Sequence, residues 1–87
     1  MGRHQAVTYF VYMVECADGT LYTGIATDVA KRIVEHNTSP RGAKYTRSRR
    51  PVSLLYSEEF PDRATASAAE YQIKKLPRAE KIRLANC

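Results

Sequence analysis

What this sequence lacks excludes several kinds of protein. Its only cysteines, Cys16 and Cys87, provide no disulfide framework of the kind that stabilises small secreted domains. No apolar run approaches the roughly 20 residues of a transmembrane helix, and the first residues do not have the layout of a signal peptide. The potential metal ligands form no cluster with the spacing of a structural zinc site. We therefore predict a cytoplasmic protein that does not contact a membrane.

Length and composition predict one folded domain. The chain has 87 residues, of which 44% are hydrophobic, and this is enough for a single modest core. No internal repeat, low-complexity segment or linker interrupts the sequence. We expect one domain across residues 1–87, with its core at about 7–84.

The N-terminal third of the chain has the pattern of a β-hairpin. β-Branched and aromatic residues fill two runs, at 8–16 and 20–26, as is typical of strands. Between the two runs lies Asp18-Gly19, a strong signal for a short turn. We therefore predict two antiparallel strands joined by a short loop.

The length of that loop decides whether Tyr12 and Tyr22 share a face of the sheet. A two-residue turn would put the two side chains on opposite faces. A three-residue loop, with Gly19 in the left-handed region, pairs Tyr12 with Gly24 and puts both hydroxyls on one face. We predict the three-residue loop.

A helix is predicted after the hairpin. Thr27 or Asp28 can cap this helix, which continues to about Asn37. Its apolar residues at helical spacing are Val29, Ala30, Ile33 and Val34. Arg32 and His36 are four residues apart on one flank of that apolar stripe, so we expect their side chains on neighbouring turns.

A third strand and two more helices complete the predicted fold. We expect Val52, Leu54 and Tyr56 on one face of the strand. Asp62 can cap the next helix, and Pro77 ends it before a short last helix. The inward positions of the longer helix are Ala66, Ala69, Ile73 and Leu76. The fold class is therefore α+β, with a three-stranded, largely antiparallel sheet flanked by helices in the order β-β-α-β-α-α.

Positive charge is concentrated in one segment. The net charge is +5 and the pI is near 9.5. The cations of this segment and its one aromatic residue are Arg41, Lys44, Tyr45, Arg47, Arg49 and Arg50. A solvated loop can have this composition, but cations beside hydroxyls and an aromatic ring also suit a sugar-phosphate backbone. We favour a nucleic-acid-binding segment.

Two short motifs in the hairpin resemble those of a known nuclease family. Phe10-Val11-Tyr12 and Tyr22-Thr23-Gly24, with their tyrosines ten residues apart, resemble the two half-motifs of the GIY-YIG nuclease superfamily. The resemblance is greatest to its small stand-alone bacterial members of YhbQ type, and it extends from about residue 10 to residue 83. Only the tyrosines and the last glycine match the letters of the family name.

The resemblance implies an active site and a metal-dependent reaction. The residues that correspond to the family's site are Tyr12, Tyr22, Arg32 and Glu70. His36 corresponds to a histidine of the homing-endonuclease branch. In the implied reaction a tyrosine activates water, Arg32 stabilises charge on the phosphoryl group, and Glu70 holds Mg²⁺ or Mn²⁺. The implied substrate is DNA, with RNA left open, and the implied process is DNA repair or recombination.

Two departures from the family pattern leave a second function open. Ile25 follows Gly24 where some relatives carry a catalytic lysine, and no asparagine lies 12 to 15 residues after Glu70. The alternative is a non-catalytic nucleic-acid-binding module with the same fold, and metal dependence distinguishes the two functions. Because no DNA-binding domain is appended, we expect either little sequence preference or a partner protein or homo-oligomer that supplies specificity.

Overall fold

The sheet of this protein has its first strand in the middle. The computed structural model describes residues 8–38, 46 and 48–86. The strands within these residues are β1 (Tyr9–Glu15), β2 (Leu21–Ala26) and β3 (Ser53–Phe60). The helices are α1 (Val29–Thr38), α2 (Arg63–Lys74) and α3 (Arg78–Ala85). Both strand pairs are antiparallel, in the spatial order β2-β1-β3, so the predicted α+β class and element order are confirmed for the described residues.

The hairpin has the three-residue loop. Tyr12 lies opposite Gly24, and the register puts Tyr22 on the same face of the sheet as Tyr12. Gly19 has φ +85°, in the left-handed region, and its N–H donates to the carbonyl oxygen of Cys16 at 2.9 Å. This is a turn followed by a glycine bulge, as predicted.

The two faces of the sheet each bury a separate cluster, because residues along β1 alternate between them. The face covered by α1 is called the α1 face, and its buried members are Tyr12, Val14, Cys16 and Val52, with Val29 and Ile33 packed against them. The opposite face is called the α2 face, and its buried members are Val11, Ala66 and Ile73, with Ala69 and Leu84 packed against them. Cys16 is therefore a core residue, whereas Cys87 lies outside the described residues.

Aspartates cap two of the helices. Oδ1 of Asp28 accepts a hydrogen bond from the Lys31 N–H at 3.0 Å, and Oδ1 of Asp62 accepts one from the Thr65 N–H at 2.8 Å. Each bond satisfies an N–H that has no partner within its own helix. None of the helices in the described ranges has the length and apolar character needed to cross a membrane.

The expected apolar stripe of α1 is wrong in two of its four residues. Val34 is 59% exposed and Ala30 is also exposed, whereas Val29 and Ile33 pack against the core. The buried stripe continues to His36, which is 0% exposed. Positions 29, 33 and 36 share one face of a helix, and a buried histidine is tolerated there because its ring nitrogens are hydrogen-bonded.

The expected face of β3 is also wrong at one position. Tyr56 lies opposite Met13 and Leu54 lies opposite Val14, so one extra residue of β3 stands between these pairs. This bulge reverses the alternation of side chains along the strand. As a result Val52 packs in the cluster of the α1 face, whereas Tyr56 packs on the α2 face.

Candidate active site

Tyr12 lies at the centre of the candidate site, in the middle strand of the sheet. The residue is 1% exposed, and its ring lies across the backbone of Gly24 on β2. A Cβ atom at position 24 would be 2.6 Å from the Tyr12 hydroxyl oxygen and 2.8 Å from Cζ, both too close for real atoms. Glycine at position 24 therefore makes room for the Tyr12 ring.

The Tyr12 hydroxyl is the start of a buried chain of hydrogen bonds. Its oxygen lies 2.7 Å from Nε2 of His36, and Nδ1 of His36 lies 2.8 Å from Oγ1 of Thr46. His36 and Thr46 are both 0% exposed. Three polar groups from β1, α1 and residue 46 are thus connected inside the protein.

Arg32 contacts the same hydroxyl from α1. Its guanidinium donates a hydrogen bond to the Tyr12 oxygen and forms an ion pair with Glu35, at 3.0 Å between Nη1 and Oε1. Because a guanidinium group cannot accept a hydrogen bond, the Tyr12 hydroxyl donates a hydrogen bond to Nε2 of His36. This arrangement favours the His36 tautomer that is protonated on Nδ1, and the Nδ1–H group then donates a hydrogen bond to Oγ1 of Thr46.

Tyr22 completes the aromatic part of the site. Its ring centroid lies 6.5 Å from that of Tyr12 and 5.4 Å from that of His36. The contact with His36 is edge-on, which is a favourable geometry for aromatic pairs. Tyr22 is partly exposed, so it and Arg32 form the solvent side of the site in front of Tyr12.

Burial sets the protonation states of the two central groups. It raises the pKa of Tyr12 to about 12, since the hydrogen bond from Arg32 only partly opposes it and the nearby Tyr22 and Glu70 add to it. Burial also lowers the pKa of His36 from its ordinary 6.5, and the positive charge of Arg32 acts in the same direction. At neutral pH the phenol therefore keeps its proton and the imidazole is uncharged.

A groove of about 270 Å³ opens beside Arg32, between the end of β2 and α1. Its lining residues are Ile25, Ala26, Thr27, Asp28, Lys31, Arg32 and Glu35. Ile25, at the position discussed above for a catalytic lysine, thus lines the same groove as Lys31. The cations at this groove come from α1 rather than from β2.

Glu70 lies on α2 and is within electrostatic range of the site. Its carboxylate contributes to the raised pKa of Tyr12, and its Oε2 atom pairs with Nζ of Lys74 at 3.2 Å. In residues 8–38, 46 and 48–86 there is no group of three His, Cys, Asp or Glu side chains that could hold a metal ion. A single carboxylate is nevertheless the donor that Mg²⁺ commonly uses together with water and substrate phosphate.

The described part of the basic segment has structural contacts. Arg50 donates from Nε to the carbonyl oxygen of His36 at 2.5 Å, near the C-terminal end of α1. Arg49 forms an ion pair with Asp18 in the hairpin loop, at 3.0 Å between Nε and Oδ2. The other members of the predicted segment lie outside the described residues: Arg41, Lys44, Tyr45 and Arg47.

Two polar residues that hold the site together carry no functional signal in the sequence. Thr46 binds His36 from a segment without helical or strand periodicity. Asn37 accepts from the Val52 N–H at 2.7 Å and donates to the Val52 carbonyl oxygen at 3.1 Å, which joins the end of α1 to the residue before β3. A sequence can suggest that such residues are polar caps or loop residues, but not which partner they meet.

A family model described as the GIY-YIG catalytic domain matches residues 8–83 of this chain. A UPF0213 protein of Desulfotalea psychrophila is 65% identical over 68 residues, which are 78% of this chain and 62% of that relative. A UPF0213 protein of Staphylococcus saprophyticus is 49% identical over 76 residues, which are 87% of this chain and 92% of that relative.

Solved structures of two similar proteins have the same architecture. The solution NMR structure of a UPF0213 protein from Bacillus halodurans is 44% identical and has a TM-score of 0.58, with 91% of this chain and 83% of that chain covered. The solution NMR structure of a protein from E. faecalis is 42% identical and has a TM-score of 0.60, with coverages of 87% and 80%.

Proposed function

Because the chain belongs to the GIY-YIG catalytic domain family, a family of nucleases, we propose that it is a divalent-metal-dependent endonuclease that hydrolyses phosphodiester bonds in DNA. The observation that carries this proposal is the buried Tyr12 hydroxyl, which is held between Arg32 and Nε2 of His36. A hydroxyl in that position can take a proton from a water molecule while it gives its own proton to the imidazole.

In the proposed reaction Tyr12 passes a proton on and His36 receives it. A water molecule enters between Tyr22 and Arg32, which are both partly exposed, and attacks the phosphorus atom. The bond between phosphorus and the leaving sugar oxygen breaks, and that oxygen takes up a proton from solvent. Its proton moves to the Tyr12 oxygen as the Tyr12 proton moves to Nε2 of His36. Thr46 holds the other ring nitrogen, so the imidazole keeps its orientation throughout.

Arg32 is the proposed ligand of the substrate phosphate. Its planar guanidinium suits two non-bridging oxygens, and it lines the groove together with Lys31. The phosphate would replace the Glu35 carboxylate, which now pairs with Arg32 at 3.0 Å. The hydrogen bond from Arg32 to Tyr12 keeps the bound phosphate next to the hydroxyl that handles the proton.

Glu70 is the residue proposed to hold the cation. Its half-buried carboxylate is a hard oxygen donor, and Mg²⁺ or Mn²⁺ would complete its ligand set with water and phosphate oxygens. A divalent cation held there would stabilise the charge that develops on the phosphoryl and leaving oxygens. Binding of the cation requires Glu70 to leave its ion pair with Lys74.

Nicking of a supercoiled plasmid and of a branched DNA, with Mg²⁺ or Mn²⁺ and with EDTA, tests the proposal. Glu70→Ala should abolish metal-dependent cleavage and spare DNA binding. Glu80→Ala is the matched control, because Glu80 is also a helical glutamate in an ion pair, at 3.5 Å from Arg83. The control should cleave like the wild type.

Other outcomes would change the assignment in defined ways. Equal nicking by Glu70→Ala and the wild type would refute the metal role of Glu70. Salt-sensitive DNA binding by both proteins, with no cleavage in any metal, would favour the non-catalytic nucleic-acid-binding module instead.

A further inference from the structure

Two arginines that are distant in sequence meet at the tip of the hairpin, residues 17–19. Nε of Arg49 lies 3.0 Å from Oδ2 of Asp18, and the Arg49 carbonyl oxygen accepts from the Ala17 N–H at 2.8 Å. Nη1 of Arg78, at the start of α3, donates to the Gly19 carbonyl oxygen at 2.7 Å. Two guanidinium groups thus contact neighbouring residues of the tip, Arg49 at Asp18 and Arg78 at Gly19.

This surface is cationic and accessible. The Arg49 side chain is 33% exposed, and Arg78 is exposed. Asp18 is the carboxylate at the tip, 47% exposed, and hydrogen bonds from Thr20 hold the pKa of Asp18 below its usual range. The ion pair with Arg49 is therefore fully charged at neutral pH, and it offsets one of the two positive charges.

The tip lies close to the candidate active site along β2. Tyr22 follows Gly19 by three residues, so the two Cα atoms are at most about 11 Å apart. Each strand of duplex DNA carries one phosphate per roughly 3.4 Å of helix axis. A sugar-phosphate backbone that passes both places along the helix axis would have at most about three nucleotides between them.

We propose that Arg49 and Arg78 at the hairpin tip form a second binding site for the sugar-phosphate backbone of the DNA substrate. The site binds phosphate groups beyond the one held by Arg32, on the hairpin-tip side of the candidate active site. Guanidinium groups suit this ligand because their donors match phosphate oxygens in pairs. Asp18 competes with the phosphate for Arg49 and so weakens binding. This inference rests on the proposed function, because it assumes that nucleic acid is the substrate.

Two variants with effects of opposite sign test the proposal. The measurement is equilibrium binding of a fluorescein-labelled DNA duplex, in EDTA so that nothing is cleaved, over a series of salt concentrations. Arg78→Gln should weaken binding and make the salt slope shallower by about one. Asp18→Asn should strengthen binding and steepen the slope, because it removes the carboxylate that pairs with Arg49 while the amide oxygen still accepts the Thr20 hydrogen bonds.

Matched controls lie at the other end of the molecule. Arg63 and Asp62 are at the start of α2, just after the residue of β3 that pairs with Tyr9 at the beginning of β1. Asp62 caps its helix with a hydrogen bond from Thr65, much as Asp18 holds its loop. Arg63→Gln and Asp62→Asn change the same charges without touching the tip, so they should shift affinity much less than the two test variants.

The outcomes separate this inference from the proposed function. Wild-type protein that neither cleaves nor binds DNA would overturn both. Wild-type protein that binds DNA, with Arg78→Gln and Arg63→Gln equally weakened, would overturn only the tip site, because net charge alone would then explain the loss. A structural role of Arg78 alone would lower the unfolding temperature without changing the salt slope. Stronger binding by Asp18→Asn cannot result from misfolding.

Discussion

The two faces of the sheet bury side chains of different character. The α2 face buries mainly apolar groups, with Val11, Ala66 and Ile73 at its centre, and Thr23 is a buried polar residue on the same face. The α1 face also has apolar residues, but its largest buried groups include a phenol and an imidazole, with a buried threonine hydroxyl beside them. Every buried polar side-chain atom in the described residues has a hydrogen-bond partner.

The difference indicates how the protein divides stability and chemistry. Apolar burial stabilises the fold in proportion to the area removed from water, at about 25 cal/mol per Å². A buried polar network adds little net stability, yet leaving one of its members unpaired costs about 1–3 kcal/mol. We expect changes in the buried cluster of the α2 face to affect unfolding, and changes in the buried polar groups of the α1 face to affect catalysis first.

Among the variants that compare the two faces, Tyr12→Phe has the largest expected effect on activity. The change removes the hydroxyl that handles the proton, and general acid–base groups contribute about 10²–10⁴-fold to rates. The initial rate of plasmid nicking should fall by that order, while urea unfolding shows a loss of about 1–3 kcal/mol from the unpaired His36 nitrogen.

Tyr56→Phe is the control for this prediction. Tyr56 is on β3 and packs on the α2 face, and its hydroxyl donates to Oε1 of Glu58 at the surface, at 2.5 Å. Its nicking rate should equal that of the wild type. Equal losses of nicking rate in Tyr12→Phe and Tyr56→Phe would mean that the effect of losing a tyrosine hydroxyl does not depend on the face of the sheet.

Ile73→Ala should have the opposite profile. Ile73 is 7% exposed in the core of the α2 face, and truncation of a buried isoleucine costs about 2–5 kcal/mol. The midpoint of urea unfolding should fall accordingly, whereas the nicking rate per folded molecule stays unchanged at low temperature. If Ile73→Val, a milder change, also slows nicking of the folded protein, the division between the faces is wrong.

Thr46→Val tests the far end of the polar chain with a smaller expected effect. Valine keeps the shape of threonine and removes the oxygen that holds Nδ1 of His36. One lost hydrogen bond, about 1 kcal/mol, corresponds to roughly a fivefold loss in nicking rate. The ¹⁵N chemical shifts of the imidazole should show a changed tautomer balance.

Thr46→Ser distinguishes positioning from packing. Serine retains the hydroxyl and lacks the methyl group, so it should restore both the tautomer and the nicking rate. A serine variant as slow as the valine variant would show that the methyl group, and not the hydrogen bond, is what matters.

The smallest expected effect is in the pH dependence. His36 must be uncharged to accept a proton. Because its pKa is lowered from the ordinary 6.5, the imidazole becomes charged only at a pH below that value. The acid limb of nicking activity should therefore lie below 6.5. Because the unfolded chain binds the proton more tightly, stability should be complete above pH 6.5 and decrease as the pH falls toward the lowered pKa. An acid limb above 6.5 would contradict the proposed role of His36.

Local signals in the sequence were sufficient for much of the hairpin and the helix ends. Asp18-Gly19 predicts the loop, the loop predicts the register, and the register places Tyr22 beside Tyr12. Asp62 acts as the expected cap, and Asp28 is the one of the two candidates, Thr27 and Asp28, that caps the first helix. Each of these features depends on residues only a few positions apart, so propensity and hydrogen-bonding rules suffice.

The remaining features depend on partners that are distant in sequence. His36 is buried because Tyr12 and Thr46 satisfy its nitrogens, and no periodicity predicts that meeting. The bulge in β3 lies in its pairing with β1, and nothing in the strand's own composition requires it. Arg78 reaches Gly19 across 59 residues, which only the tertiary fold can bring together.

The three-residue loop has a consequence for how the gene can vary. Exposed loops usually accept the gain or loss of a residue at little thermodynamic cost. Here the loss of one codon between Cys16 and Thr20 would shift the register of β2 by one position and move Tyr22 to the other side of the sheet. We expect this loop to vary in residue type among functional homologues but not in length.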